Sequence, residues 1–129
     1  MLIGRINIDS LLRAFKTFEE FKKNTETQQL KAGLIKAFEW SFELSWKTMQ
    51  RILEDRGRKA NSPREIFRLA ATDNLINDPE SWFLFIDKRN LSAHAYSEEQ
   101  IDIIINMCDD FSHSVKSFLK NIGVPDDQY

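Results

Sequence analysis

A long helical pattern between Leu30 and Asp55 constrains the fold more than any other feature of the chain. It contains no Gly or Pro from Leu34 onwards, and Gly57 follows it where a glycine often ends a helix. Two apolar stripes run along it, although one is enough for a surface helix. They consist of Leu30, Leu34, Ala37, Phe38 and Leu44, and of Ile35, Phe42, Trp46, Met49 and Leu53. The pattern predicts either a central helix packed on both sides or a helix that meets another subunit, and leaves both open.

Two helices are predicted next to this segment. Apolar residues three and four positions apart predict a first helix from about Asp9 to Lys23. After the long helix, Ser62 is a typical N-cap, and Pro63 suits the first turn. Glu65 would complete a capping box with Ser62. The pattern predicts a short third helix that fades near Asn74.

Two further helices complete the chain. Asp78-Pro79 is a second start signal, and the helix that follows leads directly into Lys88, Arg89 and Asn90. Ser97 begins a capping box for a fifth helix, which Gly123 ends. No alternating pattern predicts a strand. We therefore predict an all-α fold, an antiparallel bundle of about five helices around a four-helix up-and-down core, with residues 1–129 as a single domain.

Composition limits the functional classes. The net charge of −2 does not indicate a general nucleic-acid binder, so any RNA contact must be local. The single cysteine, Cys108, excludes an internal disulfide, and no Cys or His spacing is typical of a zinc site. We expect no metal and no cofactor. Neither a targeting leader nor a membrane span is predicted, so we expect a cytoplasmic protein.

The two histidines have different surroundings in the sequence. His113 lies among Asp109, Asp110 and Lys116 at helical spacing, which predicts a solvated face. His94 lies in the run Arg89–Tyr96 (RNLSAHAY), between two strongly apolar helices. This run is the best candidate for chemistry.

Arginine and histidine together suit phosphoryl chemistry. His exchanges protons near neutral pH, and Arg binds phosphate through two parallel hydrogen bonds. Residues five apart on a helix lie about 140° apart around its axis, so Arg89 and His94 would not stack. Either the helix ends near Ala93 and His94 turns back, or a second copy completes the site. Alternatively, both side chains cap the helix C-terminus and have no other role.

The run Arg89–Tyr96 resembles the Arg-x4-His-x-Tyr motif of the HEPN superfamily, specifically its HepT-like group, which is also described as nucleotidyltransferase substrate-binding proteins. The segments Phe38–Lys47 and Ser62–Glu65 and the approach Asp87–Asn90 resemble that group in order and spacing. The resemblance covers nearly the whole chain.

This resemblance implies a homodimer in which two motifs face one cleft, and a toxin that is neutralised by a cognate minimal nucleotidyltransferase. It implies a metal-independent endoribonuclease in which Arg89 stabilises the phosphate of RNA and His94 is the general acid or base. Asn90 would orient the motif. Tyr96 would line the cleft and would be the hydroxyl to which the partner attaches AMP. The alternative is a non-catalytic subunit that presents substrate to a separate nucleotidyltransferase.

Two further groups of charges have competing interpretations. Glu39 and Glu43 are one turn apart and could form a carboxylate pair on the central helix, but Lys36 and Lys47 at similar spacing are competing partners. If Glu43 instead faces the cleft, it would orient His94. The second group is a set of basic residues around the junction of the second and third helices, namely Arg51, Arg56, Arg58, Lys59, Arg64 and Arg68. Interspersed carboxylates favour a solvated basic edge over an RNA contact.

Overall fold

A computed structural model describes all residues, 1–129, and contains five α-helices. They are α1 (Asp9–Lys22), α2 (Gln28–Asp55), α3 (Pro63–Thr72), α4 (Pro79–Ser92) and α5 (Glu98–Asn121). A two-residue hairpin, β1 (Leu2–Ile3) and β2 (Ile6–Asn7), precedes them, and a 3-10 turn at Asp126–Gln128 follows. The predicted all-α bundle of about five helices is confirmed.

Side chains fix most of the helix starts. The hydroxyls of Thr27, Ser62 and Ser97 accept hydrogen bonds from backbone N–H groups two or three residues into their helices, and Asp78 does so through its carboxylate. These bonds satisfy donors that have no partner within the helix. Ser97 forms the predicted capping box with Gln100.

The central position of α2 explains its two apolar stripes. This helix packs against each of the other four helices. Its Phe38 and Phe42 contact Phe111 of α5, with ring centroids 4.9 and 6.4 Å apart. Trp82 and Phe85 of α4 complete an aromatic cluster around Phe111 at 6.0 and 5.3 Å. The prediction of a central helix is confirmed, while Trp40 on the same helix stays 44% exposed.

Two local predictions were wrong. The hairpin at residues 2–7 was not predicted, because strands of two residues are too short to show an alternating pattern. Its turn contains Gly4 with a φ of +58°, which glycine adopts without strain. At α3 the capping box is incomplete, because Glu65 accepts from the N–H of Asn61 and not from that of Ser62.

No helix combines the length and the apolar composition that a membrane crossing requires.

Candidate functional site

The motif lies where α4 ends. The helix stops at Ser92, Ala93 is its C-cap, and the backbone N–H of His94 donates to the carbonyl of Leu91 at 2.9 Å. Arg89 is therefore in the last helical turn, whereas His94 and Tyr96 are in the loop before α5. A helix end near Ala93 was one of the two alternatives that the sequence left open, and the structure has it.

Arg89 is held by carboxylates of the central helix. Its Nη1 lies 3.2 Å from Oε2 of Glu39, and its Nε lies 3.9 Å from Oε1 of Glu43. The guanidinium contacts α2 and not the last carbonyls of α4, so this side chain does not cap the helix. Its Nε is buried without a hydrogen-bond partner, while the side chain as a whole keeps 31% of its surface exposed.

The contact of Glu39 with the motif was not predicted from the sequence. Its carboxylate is 16% exposed and accepts a hydrogen bond of 2.7 Å from the hydroxyl of Ser92, on the same oxygen that pairs with Arg89. Lys36, the predicted partner, lies 3.8 Å from the other oxygen. Glu39 thus links two motif residues of α4 to α2. Its distance from residues 89 and 92 in the sequence left no local signal for this contact.

Glu43 does not contact His94. One carboxylate oxygen lies 3.9 Å from Nζ of Lys47, and the other lies 3.9 Å from Nε of Arg89. The predicted pairing with Lys47 is therefore present. The role considered for Glu43 in orienting His94 finds no contact within the single chain.

The remaining motif side chains face solvent. Asn90 and His94 are exposed, and neither side chain makes a hydrogen bond or an ion pair within the chain. Tyr96 is 86% exposed, more than any other large apolar side chain. Its backbone N–H is fixed by Gln100 Oε1 at 3.1 Å, but its hydroxyl is unbonded.

Arg89 and His94 have different local settings in one chain. Arg89 points to α2 from the last turn of α4, on the side of that helix that also carries Trp82 and Phe85. His94 lies beyond the helix end, and its exposed imidazole forms no hydrogen bond or ion pair. One chain therefore presents an anchored cation in the helix and an exposed imidazole in the loop that follows.

Three of the six residues of the predicted basic edge form ion pairs. Arg56 and Arg58 pair with Asp73 at 3.6 and 3.2 Å, and Arg64 pairs with Asp87 at 2.6 Å. For these three arginines the ion pairs support the interpretation as a solvated basic edge. His113 is exposed, as predicted.

The chain matches one protein family over most of its length. The family model described as "Nucleotidyltransferase substrate binding protein like" matches residues 6–123. The chain belongs to this family, which confirms its resemblance to the nucleotidyltransferase substrate-binding proteins, the group that is also described as HepT-like.

Two relatives that match this chain over most of their length support the assignment. A probable ribonuclease HepT from Haemophilus influenzae is 27% identical over 128 residues, which cover 86% of this chain and 88% of the relative. A solved Haemophilus influenzae structure, described as the fold of a substrate-binding domain of a nucleotidyltransferase, has a TM-score of 0.78 and 29% identity and covers 90% of this chain and 98% of its own.

Two other solved structures share the fold. A Thermus thermophilus protein superimposes with a TM-score of 0.82 at 26% identity, covering 88% of this chain and 98% of its own. A tri-AMPylated HEPN toxin from Shewanella oneidensis, solved in complex with its MNT antitoxin, has a TM-score of 0.69 at 21% identity and covers 91% of each chain. At that identity the likeness shows the fold alone.

Proposed function

We propose that this protein is a HEPN-type toxin that cleaves RNA without a metal ion, through Arg89 of one subunit and His94 of the other. The observation that carries the proposal is the placement of Arg89. Its guanidinium is fixed by Glu39 at 3.2 Å yet stays 31% exposed at the end of α4, beside a loop that presents the imidazole of His94. A fixed cation and an exposed acid–base group are the two elements that phosphoryl transfer needs.

The reaction follows from the chemistry of RNA. The 2′-oxygen loses its proton to a base and attacks the neighbouring phosphorus, and the bond from phosphorus to the 5′-oxygen breaks. The leaving oxygen takes up a proton, so the products are a 2′,3′-cyclic phosphate and a 5′-hydroxyl. His94 transfers one of these protons, and water exchanges the other. Arg89 stabilises the negative charge that builds up on the phosphate oxygens.

A homodimer is part of this proposal because nothing within one chain holds His94 toward Arg89, whose guanidinium is turned to α2. Two copies that meet at the ends of their α4 helices would bring the Arg89 of each toward the His94 of the other. Asn90, exposed one position after Arg89, would then orient the motif or the substrate by hydrogen bonds.

The proposed partner is a minimal nucleotidyltransferase acting as antitoxin. Tyr96 suits modification because its hydroxyl is unbonded and its side chain is 86% exposed. In the proposed step the phenol oxygen attacks the α-phosphorus of ATP, pyrophosphate leaves, and the phenolic proton passes to solvent. AMP attached to Tyr96 would add a bulky anion next to Arg89 and block RNA.

The alternative function is that of a non-catalytic subunit that presents substrate to a nucleotidyltransferase. The exposed Tyr96 also favours this alternative, since a protruding aromatic side chain is a typical anchor in a protein interface. In this alternative, Arg89 binds a phosphate-bearing ligand without breaking it.

A ribonuclease assay in EDTA separates the two functions. We expect cleavage by the wild type and a loss of at least about a hundredfold in both Arg89→Ala and His94→Ala. His113→Ala is the matched control, because His113 is the only other histidine and is also exposed. Circular dichroism verifies that each variant is folded. No cleavage by the wild type, or equal cleavage by all variants, would favour the substrate-presenting subunit.

Mixing inactive variants tests the shared cleft. A heterodimer of Arg89→Ala with His94→Ala retains one site with both groups only if each site draws them from different subunits. We expect the mixture, after subunit exchange, to regain part of the activity that neither variant has alone. If the mixture stays inactive although heterodimers form, Arg89 and His94 act within one chain.

A further inference from the structure

Two arginines of α3 are stacked on one aromatic ring of α4. The guanidinium carbons of Arg64 and Arg68 lie over the ring of Phe83, 5.7 and 5.4 Å from its centroid. The two arginines are one helical turn apart, and Phe83 is half-buried with Phe67 of α3 at 6.2 Å. The ring therefore holds two long cationic side chains in a defined place.

This cluster lies on the side of α4 that leads to Asn90. Phe83, Asp87 and Asn90 follow each other at helical spacings of four and three. Phe83 and Asn90 are two turns apart, about 10 Å along the helix axis. The cluster and Asn90 therefore share one side of α4, which ends at the loop that carries His94.

The two arginines differ in whether their guanidinium group is already in an ion pair. Arg64 is paired with Asp87 at 2.6 Å. Arg68 is exposed and forms no ion pair, so its guanidinium is free to bind an anion. Arg68 thus differs from Arg56, Arg58 and Arg64, which are all paired with carboxylates.

We propose that the cluster of Arg64, Arg68 and Phe83 binds the backbone of single-stranded RNA next to the phosphate that is cleaved. Arg68 binds a phosphate of the flanking strand through its N–H groups. Phe83 reduces the cost of ordering that side chain because the guanidinium already rests on the ring. Arg64 stays paired with Asp87, which lies between Phe83 and Asn90 on α4. The proposal rests on the proposed ribonuclease function and extends it to a second contact with the substrate.

RNA binding by a variant without the catalytic histidine tests the inference. The affinity of His94→Ala for a fluorescein-labelled single-stranded RNA of mixed sequence is measured by anisotropy over roughly 50 to 200 mM salt. Adding Arg68→Gln should weaken binding roughly three- to tenfold and lower the slope of log Kd against log salt by about 0.7, the value for one lost phosphate contact on a single strand. Arg68→Lys, which keeps the charge, should retain the slope.

Arg13→Gln in the same background is the matched control, since Arg13 is also an exposed arginine without an ion pair but lies on α1. If Arg68→Gln and Arg13→Gln give equal affinities and slopes, the inference is wrong. It is also wrong if Arg68→Gln binds RNA normally but loses binding to the nucleotidyltransferase, which would make the cluster a protein-docking surface.

The RNA-binding experiment and the ribonuclease assay can fail independently of each other. If the wild type cleaves RNA and Arg68→Gln leaves binding unchanged, the proposed function stands and the inference fails. If the wild type does not cleave but Arg68→Gln lowers the affinity and the slope, the RNA contact stands without the ribonuclease. No binding of RNA by the His94→Ala variant would overturn the inference.

Discussion

Arg89 of α4 and Glu39 of α2 form an ion pair of 3.2 Å, and the same Glu39 oxygen accepts a hydrogen bond of 2.7 Å from Ser92. This carboxylate, only 16% exposed, fixes the last turn of α4 against the central helix. Arg89, which carries a permanent charge, is therefore anchored by the central helix, whereas His94, the proposed proton-exchanging group, lies in the loop.

Glu39→Gln tests this anchor. An amide has nearly the same shape as the carboxylate and can still accept a hydrogen bond from Ser92, but it lacks the negative charge that faces Arg89. We expect the free energy of unfolding to fall by about 1 to 2 kcal/mol, because the interaction is partly buried. Glu20→Gln is the control, since its carboxylate pairs with Lys23 at 2.9 Å but is 71% exposed. That change should cost less than about 0.5 kcal/mol in urea titrations. Equal effects of the two substitutions would mean that Glu39 is no anchor.

Ser41→Ala should stabilise the protein. The hydroxyl of Ser41 is fully buried in α2 and has no hydrogen-bond partner. Removing it eliminates the cost of its desolvation and improves helix propensity, so we expect a gain of about 1 kcal/mol in thermal or urea unfolding. Ser45 is the matched control on the same helix, because its equally buried hydroxyl donates to the carbonyl of Ser41 at 2.7 Å. Ser45→Ala should bring no gain, and a loss on Ser41→Ala would contradict the argument.

Gly33 and Phe21 should be energetically coupled. A Cβ at Gly33 would lie 2.6 Å from Cε1 of Phe21, a ring that is 37% exposed. In a Phe21→Ala background, Gly33→Ala should stabilise α2 by up to about 1 kcal/mol through helix propensity. In the wild type the ring must first move away, so the gain shrinks or becomes a loss. A double-mutant cycle should give a coupling of at least about 0.5 kcal/mol. The same effect in both backgrounds would show that Phe21 does not restrict this position.

Cys108 should make the protein less stable in alkali. Burial raises the pKa of the Cys108 thiol from 9.0 to about 12. Above pH 9 the unfolded chain has lost a proton that the folded chain retains, so the free energy of unfolding falls as the pH rises toward 12. Between pH 8 and about pH 10.5 the loss from this group is about 2 kcal/mol.

The matched variant for this prediction is Cys108→Ala, measured by urea titration at both pH values. Burial also raises the pKa of Tyr129, with its hydrogen bond to Asp126 acting in the same direction. This second contribution is common to both proteins and cancels in the comparison. The wild type should lose more stability than the variant, and equal losses would exclude the thiol as the cause.

Local sequence determined the helices of this protein. Helix starts are marked by Pro63, by Pro79 and by the pair of Ser97 and Gln100. Two helix ends are followed by glycines, Gly57 and Gly123. These signals can be found in the sequence because caps and backbone restrictions depend only on near neighbours. The spacing of apolar residues likewise identified α2 as a helix with two buried sides. The run from Arg89 to Tyr96 was recognisable for the same reason, as it is continuous in the sequence.

Only the tertiary structure decided what these helices bring together. Glu39 meets Arg89 and Ser92, and Arg68 meets Phe83, because α2, α3 and α4 pack around one aromatic core. The spacing of charges along α2 predicted a lysine partner for Glu39. It could not predict the contact of Glu39 with Arg89 and Ser92 on α4. Ion pairs and stacking depend on distances of a few ångströms between segments remote in the chain, and the packing of the core sets those distances.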